Sequence, residues 1–81
     1  MESISLNLEK LVEKEIKRVE GMIKSIVYCS INCKEVMINV NSYFNDSKFF
    51  FDKKDFLNAF EAIIICWSYL DCLLKLGLIK I

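Results

Sequence analysis

Apolar residues recur every three or four positions along three segments of the chain, and polar residues fill most of the positions between them. This spacing is typical of amphipathic helices, because one turn of an α-helix takes 3.6 residues. The pattern predicts helices over about residues 5–28, 33–52 and 55–76. Short polar interruptions separate the three segments, so we expect each helix to run antiparallel to the one before it.

Residues with known capping preferences stand at the predicted helix ends. Asn32 lies three residues before Glu35, which is the spacing of a capping box at the start of the second helix. Asp55 is placed to cap the third helix, since an aspartate side chain accepts hydrogen bonds from the first turn. Gly77 stands where a glycine commonly closes a helix in the left-handed conformation.

The size and composition fit a single small domain. The chain has 81 residues, 54% of them hydrophobic, with no proline and two glycines. This composition excludes a disordered tail and a turn-rich small β-barrel. We therefore predict one all-α domain over residues 1–81, folded as an antiparallel up-down-up three-helix bundle.

Charge is balanced, with eleven lysines and arginines against eleven aspartates and glutamates. Proteins that bind nucleic acid usually carry a basic excess, whereas a neutral and apolar chain tends to self-associate. Nucleic-acid contact through the first helix is a weaker alternative, and it would use a basic stripe of Lys10, Lys14, Lys17, Arg18 and Lys24. Glutamates four positions before Lys17 and Lys24 favour a solvated, internally paired face instead.

The four cysteines are Cys29, Cys33, Cys66 and Cys72. No CxxC knuckle is present and the density is below that of disulfide scaffolds, so we expect packed free thiols, with zinc or a redox role as lesser alternatives. The chain opens without a secretory signal, and its longest apolar stretch, residues 62–70, is shorter than the ~20 residues that span a bilayer. These features predict a cytoplasmic protein with no membrane partner.

Candidate chemistry is sparse. The chain has no histidine, no nucleophile elbow and no glycine-rich phosphate loop, so we expect no enzyme activity and no cofactor. Asp46, Glu61 and Asp71 lie within the second and third helices, and antiparallel pairing would bring Asp46 level with Glu61. Paired carboxylates can hold Mg²⁺ or Mn²⁺, which leaves metal or small-ligand binding as the alternative function. Solvation or hydrogen bonding beside the core is the simpler interpretation of these acids.

Apolar residues exceed what one core accommodates. Phe49, Phe50 and Phe51 point about 100° apart on a helix and cannot all face the same core. A chain with such a surplus either folds its tail, residues 78–81, over it or meets another protein. The outward-facing apolar positions predict an interaction surface formed by Ile38, Phe49, Ile65, Tyr69 and Leu76. The leading functional prediction is a non-catalytic protein-interaction module, most simply a homodimer.

The second half of the chain resembles an archaeal family, domain of unknown function 357. The resemblance is carried by residues 42–46 (SYFND), Phe50, Asp55, residues 58–62 (NAFEA), Trp67, Leu70, Asp71 and Gly77. The chain departs from the family at the turn before the third helix, where Lys54 replaces the usual glycine. The resemblance implies a small bundle similar to the immunoglobulin/albumin-binding-domain type of three-helix fold, and it implies no activity.

Overall fold

The computed structural model describes the backbone of residues 2–81 and the side chains of residues 7–81. Three α-helices form an up-down-up bundle: α1 (Glu2–Lys24), α2 (Lys34–Asp52) and α3 (Phe56–Lys75). The bundle measures 46 × 18 × 17 Å. The all-α three-helix fold predicted from the hydrophobic pattern is therefore confirmed.

The first helix begins and ends earlier than predicted, because it spans Glu2–Lys24 and not residues 5–28. The hydroxyl of Ser25 donates to the carbonyl of Gly21 at 2.7 Å, which closes the last turn. The chain then extends into a short strand, β1 (Tyr28–Cys29), which pairs antiparallel with β2 (Ile79–Lys80). Ser25 and Ile26 bond back to the last turn of α1, whereas Val27 and Tyr28 bond to the strand about fifty positions away. The predicted helix is therefore wrong over residues 25–28, because no local pattern reveals this distant pairing.

The start of α2 also differs from the prediction. A 3-10 turn, η1 (Ile31–Cys33), precedes the helix, and the Ser30 side chain accepts a hydrogen bond from the backbone N–H of Asn32 at 3.2 Å. Cys33 occupies the N-cap of α2 without a side-chain hydrogen bond. The predicted capping role of Asn32 is wrong, because Asn32 lies inside a local turn in which its backbone N–H donates to the Ser30 hydroxyl.

Both ends of α3 follow the sequence signals. The Asp55 carboxylate accepts from the backbone N–H of Asn58 at 3.3 Å, as an N-cap does. At the other end Gly77 has φ +71°, and the N–H of Leu78 donates to the carbonyl of Leu73 at 3.0 Å. This is a Schellman closure, and it directs the chain back along the bundle into β2.

Lys54 adopts the left-handed conformation, with φ 62°, in the turn between α2 and α3. A residue with a Cβ pays about 1–2 kcal/mol in this region, whereas glycine does not. We expect Lys54→Gly to raise the free energy of unfolding by about 1 kcal/mol, measured by urea denaturation. The control is Lys53→Gly, since Lys53 has φ −82° and gains nothing from glycine. A Lys54→Gly protein less stable than the parent would contradict the strain argument.

The core lies along α3. Its buried side chains meet residues from the other helices and from β2, in a cluster of Val19, Cys33, Val40, Ile63, Cys66, Leu70, Leu73 and Ile79. By length and composition alone, α3 is apolar enough to cross a membrane. The central helix of a soluble bundle passes the same test, so this property by itself assigns no membrane role.

Candidate functional site

The two sides of the α2–α3 pair differ in what covers them. On one side α1 packs against both helices, and the Arg18 guanidinium lies 4.4 Å above the centre of the Trp67 ring. On the opposite side the Tyr43 and Tyr69 rings stack with centroids 6.0 Å apart. The structure, as described for residues 2–81, contains no further helix that could cover this second side.

We call this second side the outer face, and it holds half-buried side chains at its centre and exposed ones at its edges. Its centre consists of Tyr43, Phe50, Ile65 and Tyr69. At the edges are Ile38, Phe49 and Leu76, which are 61%, 57% and 66% exposed. The edge and the centre are in contact, since the Phe49 and Phe50 rings lie 5.6 Å apart.

The five surface residues predicted from the sequence thus fall into two groups. Ile38, Phe49 and Leu76 are exposed, as expected, whereas Ile65 and Tyr69 are half-buried. Tyr69 loses exposure because its ring stacks on the ring of Tyr43. The prediction of a partner for these residues stays a prediction, since the structure describes a single chain.

The sequence pattern missed further exposed apolar residues. Several lie at the end of the bundle that carries the β1–β2 strand pair, which we call the ribbon end. Val27 and Ile31 are 80% and 83% exposed, and Tyr28 and Ile81 are about half exposed. Val27 falls within the first helix as predicted over residues 5–28, and it becomes exposed because the helix ends at Lys24. The solvent-accessible surface is 5589 Å², above the roughly 5,000 Å² expected for this mass.

The three candidate metal ligands do not form a site. Asp46 and Glu61 are exposed, and Asp71 accepts a hydrogen bond from the Lys75 ammonium at 2.9 Å. This hydrogen bond raises the pKa of Lys75, because it stabilises the charged form. Within the described residues no three cysteine or carboxylate side chains converge as metal ligands would. The carboxylate alternative therefore lacks the ligand number that a divalent cation needs.

Three of the five residues in the predicted basic stripe of α1, Lys17, Arg18 and Lys24, contact carboxylates of the same helix. Lys17 pairs with Glu13 at 3.5 Å. The Nε of Arg18 donates to Glu15 at 3.0 Å, while its guanidinium also covers Trp67. Surface pairs of this kind contribute about 0.3–0.5 kcal/mol each, and they neutralise part of the stripe. The arrangement gives no support to nucleic-acid contact through this helix.

The cysteines occupy three different environments. Cys66 is fully buried, its thiol donates to the carbonyl of Val40 at 3.3 Å, and burial raises its pKa to about 11. This thiol is a packing residue, because an accessible thiolate is what makes a cysteine reactive. Cys72 is exposed on α3. Cys29 and Cys33 contact each other at the start of α2, with their sulfur atoms 2.8 Å apart.

Comparison with known proteins points to one uncharacterised family. The family described as "Protein of unknown function (DUF357)" matches residues 7–79. The chain is also similar to a solved structure, the crystal structure of protein AF1782 from Archaeoglobus fulgidus, which is assigned to the same family. The TM-score between the two is 0.83 and their sequence identity is 27%. The alignment covers 95% of this chain and 96% of the other. No curated protein matches the sequence. The family match spans nearly the whole chain, and the chain therefore belongs to the DUF357 family.

Proposed function

We propose that this protein is a non-catalytic interaction module that self-associates as a homodimer through its outer face. The observation that carries the proposal is that the apolar side of the α2–α3 pair, centred on the stacked Tyr43 and Tyr69, has no helix over it among the described residues. Apolar surface of this kind on a small protein usually marks a protein interface. The non-catalytic part rests on the absence of histidine from the sequence and on the pairing of Asp71 with Lys75.

The outer face is large enough for a weak dimer. The α2 and α3 helices have 19 and 20 residues, so the face is about 30 Å long. With a bundle width near 18 Å, each copy offers about 540 Å², or about 1,100 Å² for the pair. Stable specific interfaces bury about 1,200–2,000 Å² in total, and weak or transient ones bury about 1,000 Å² or slightly more. A two-fold axis through the face would let each copy present the same residues to the other.

The charge of the chain favours a second copy as the occupant. Two copies with formal net charge zero do not repel each other at long range. The central residues of the outer face, Tyr43, Phe50, Ile65 and Tyr69, are uncharged. Asp46 and Glu61 lie one helical turn from them on the same faces of α2 and α3, and their exposed carboxylates have to stay hydrated in the dimer.

Phe49→Lys is expected to raise the dimer dissociation constant at least tenfold without unfolding the chain. Burial of one phenylalanine contributes about 1.5–3 kcal/mol, tenfold in affinity corresponds to 1.4 kcal/mol, and a dimer carries the substitution twice. Because Phe49 is 57% exposed, the monomer loses little packing. Sedimentation equilibrium measures the dissociation constant, and circular dichroism with urea denaturation checks the fold.

Leu11→Lys is the matched control for this experiment. Leu11 is 43% exposed and lies on α1, which packs on the other side of the α2–α3 pair from the outer face. We expect its dimer to be as tight as that of the parent. Equal weakening by both substitutions would mean that association is non-specific. A Phe49→Lys protein that unfolds as a monomer would show that α2 faces another way.

A further inference from the structure

Two thiols lie in direct contact where the chain turns from β1 into α2. Cys29 ends β1, which is fixed by its pairing with β2, and Cys33 ends the 3-10 turn η1. Their sulfur atoms are 2.8 Å apart. A disulfide bond is about 2.05 Å long, so the two sulfur atoms need to approach by less than about 1 Å to bond.

The two thiols differ in their access to solvent. Cys29 is exposed, whereas Cys33 is fully buried. The Cys33 thiol also contacts two backbone carbonyls, that of Ser30 at 2.9 Å and that of Leu78 at 3.7 Å. An accessible thiol with a sheltered second thiol behind it is the arrangement in which one cysteine reacts with an external disulfide and the other resolves it.

We propose that Cys29 and Cys33 form a dithiol site that exchanges reversibly with small-molecule disulfides and closes to an intramolecular disulfide. Cys29 is the attacking residue because it is the exposed member of the pair, and Cys33 is the resolving residue. The site lies at the ribbon end of the bundle, and its chemistry does not depend on self-association through the outer face.

The exchange takes two steps and transfers two electrons. Cys29 loses its proton to water, and its thiolate attacks one sulfur of the small disulfide, whose S–S bond breaks. One small thiolate leaves with the electron pair and takes up a proton. Cys33 then loses its proton to water, and its thiolate attacks the Cys29 sulfur, so that the mixed disulfide breaks. The second small thiolate leaves with the electron pair and takes up a proton. The protein dithiol is oxidised and the small disulfide is reduced to two thiols.

The contact between the thiols also sets how the exchange responds to pH. The hydrogen bond to Cys33 raises the pKa of Cys29, with smaller contributions from burial and from the charge of Cys33. A raised pKa lowers the thiolate fraction at neutral pH, and the thiolate is the nucleophile. The exchange is therefore slow near pH 7 and accelerates as the pH rises toward and above 9.

Oxidised glutathione and peptide mass spectrometry test the site. Reduced protein is incubated with the disulfide, quenched in acid, alkylated and digested with trypsin, which cuts after Lys24 and Lys34. The peptide of residues 25–34 then contains Cys29 and Cys33 but neither Cys66 nor Cys72. We expect this peptide to be two hydrogen masses lighter, without alkyl groups or glutathione. The proposal is overturned by either of two results in a sample in which Cys72 has reacted with glutathione. In one, Cys29 and Cys33 are both recovered alkylated; in the other, Cys29 keeps its glutathione.

Cysteine variants and urea denaturation test whether the fold, and not thiol reactivity alone, makes Cys29 and Cys33 close to a disulfide. Cys33→Ala is expected to trap glutathione on Cys29, and Cys29→Ser is expected to leave the buried Cys33 reduced. Cys72→Ala should leave closure of the pair unchanged. In urea, where β1 no longer positions Cys29, the equilibrium constant for closure is expected to fall at least tenfold. Equal constants for the folded and unfolded chain would show that the fold does not build the site.

Discussion

Leu70→Ala is expected to lower the free energy of unfolding by about 4 kcal/mol, the largest effect of any single substitution considered for this chain. Leu70 is fully buried on α3 and belongs to the cluster that joins all three helices to β2. Truncation removes buried methyl groups and leaves a cavity, which costs about 2–5 kcal/mol in such cores. A domain of this size has a total stability of roughly 4–12 kcal/mol, so a large part of it depends on this side chain.

Urea denaturation followed by circular dichroism measures this loss, and Leu57→Ala is its control. Leu57 is on the same helix but is 69% exposed, so the same substitution is expected to change stability by no more than about 0.5 kcal/mol. If Leu70→Ala leaves too little folded protein, Ile63→Val, which removes one methyl from the same cluster, should cost about 1 kcal/mol. Equal losses for Leu70→Ala and Leu57→Ala would contradict the position of the core.

Trp67→Ala is expected to cost about 3 kcal/mol. Trp67 is half-buried against the core cluster, and the Arg18 guanidinium covers its ring at 4.4 Å. Removing the indole exposes the α1–α3 contact and eliminates the cation–π interaction, which contributes about 0.5–1 kcal/mol at an exposed site. The free energy of unfolding in urea is the measurement.

Two further substitutions, Arg18→Ala and Trp67→Phe, measure separately the contributions of the Arg18 charge and of the packed aromatic ring. Arg18→Ala removes the cation from the Trp67 ring together with the exposed ion pair to Glu15, and it is expected to cost about 1 kcal/mol. Trp67→Phe keeps an aromatic ring beneath the guanidinium and should restore more than half of the stability lost in Trp67→Ala. A loss below about 1 kcal/mol for Trp67→Ala would mean that this side chain does not join α1 to the core.

The parts of the fold that depend on local chemistry could be predicted from the sequence. Helical periodicity identified three helices, and Asp55 and Gly77 act at the two ends of α3 as their residue types indicate. The β1–β2 ribbon could not be predicted, because each strand has two residues and its partner lies about fifty positions away. The helix boundary at Lys24 was missed for the same reason.

The exposed surfaces likewise divide into features that local sequence predicts and features that depend on long-range pairing. Ile38 and Phe49 lie on one stripe of α2, eleven positions apart, and helical spacing alone indicated their exposure. The exposure of Val27 and the contact between Cys29 and Cys33 depend on where α1 ends and how the chain turns after it. Those features follow from long-range pairing and were therefore invisible in the local pattern.

Sedimentation equilibrium of the unmodified protein under reducing conditions is the most direct test of whether the outer face binds a second copy. Reducing conditions matter, because they exclude disulfide-linked dimers formed through the exposed Cys72. Self-association through the outer face predicts a mass that rises from one chain toward two as the concentration increases to ~100 µM. A mass that stays at the single-chain value of 9.5 kDa up to ~100 µM would contradict self-association.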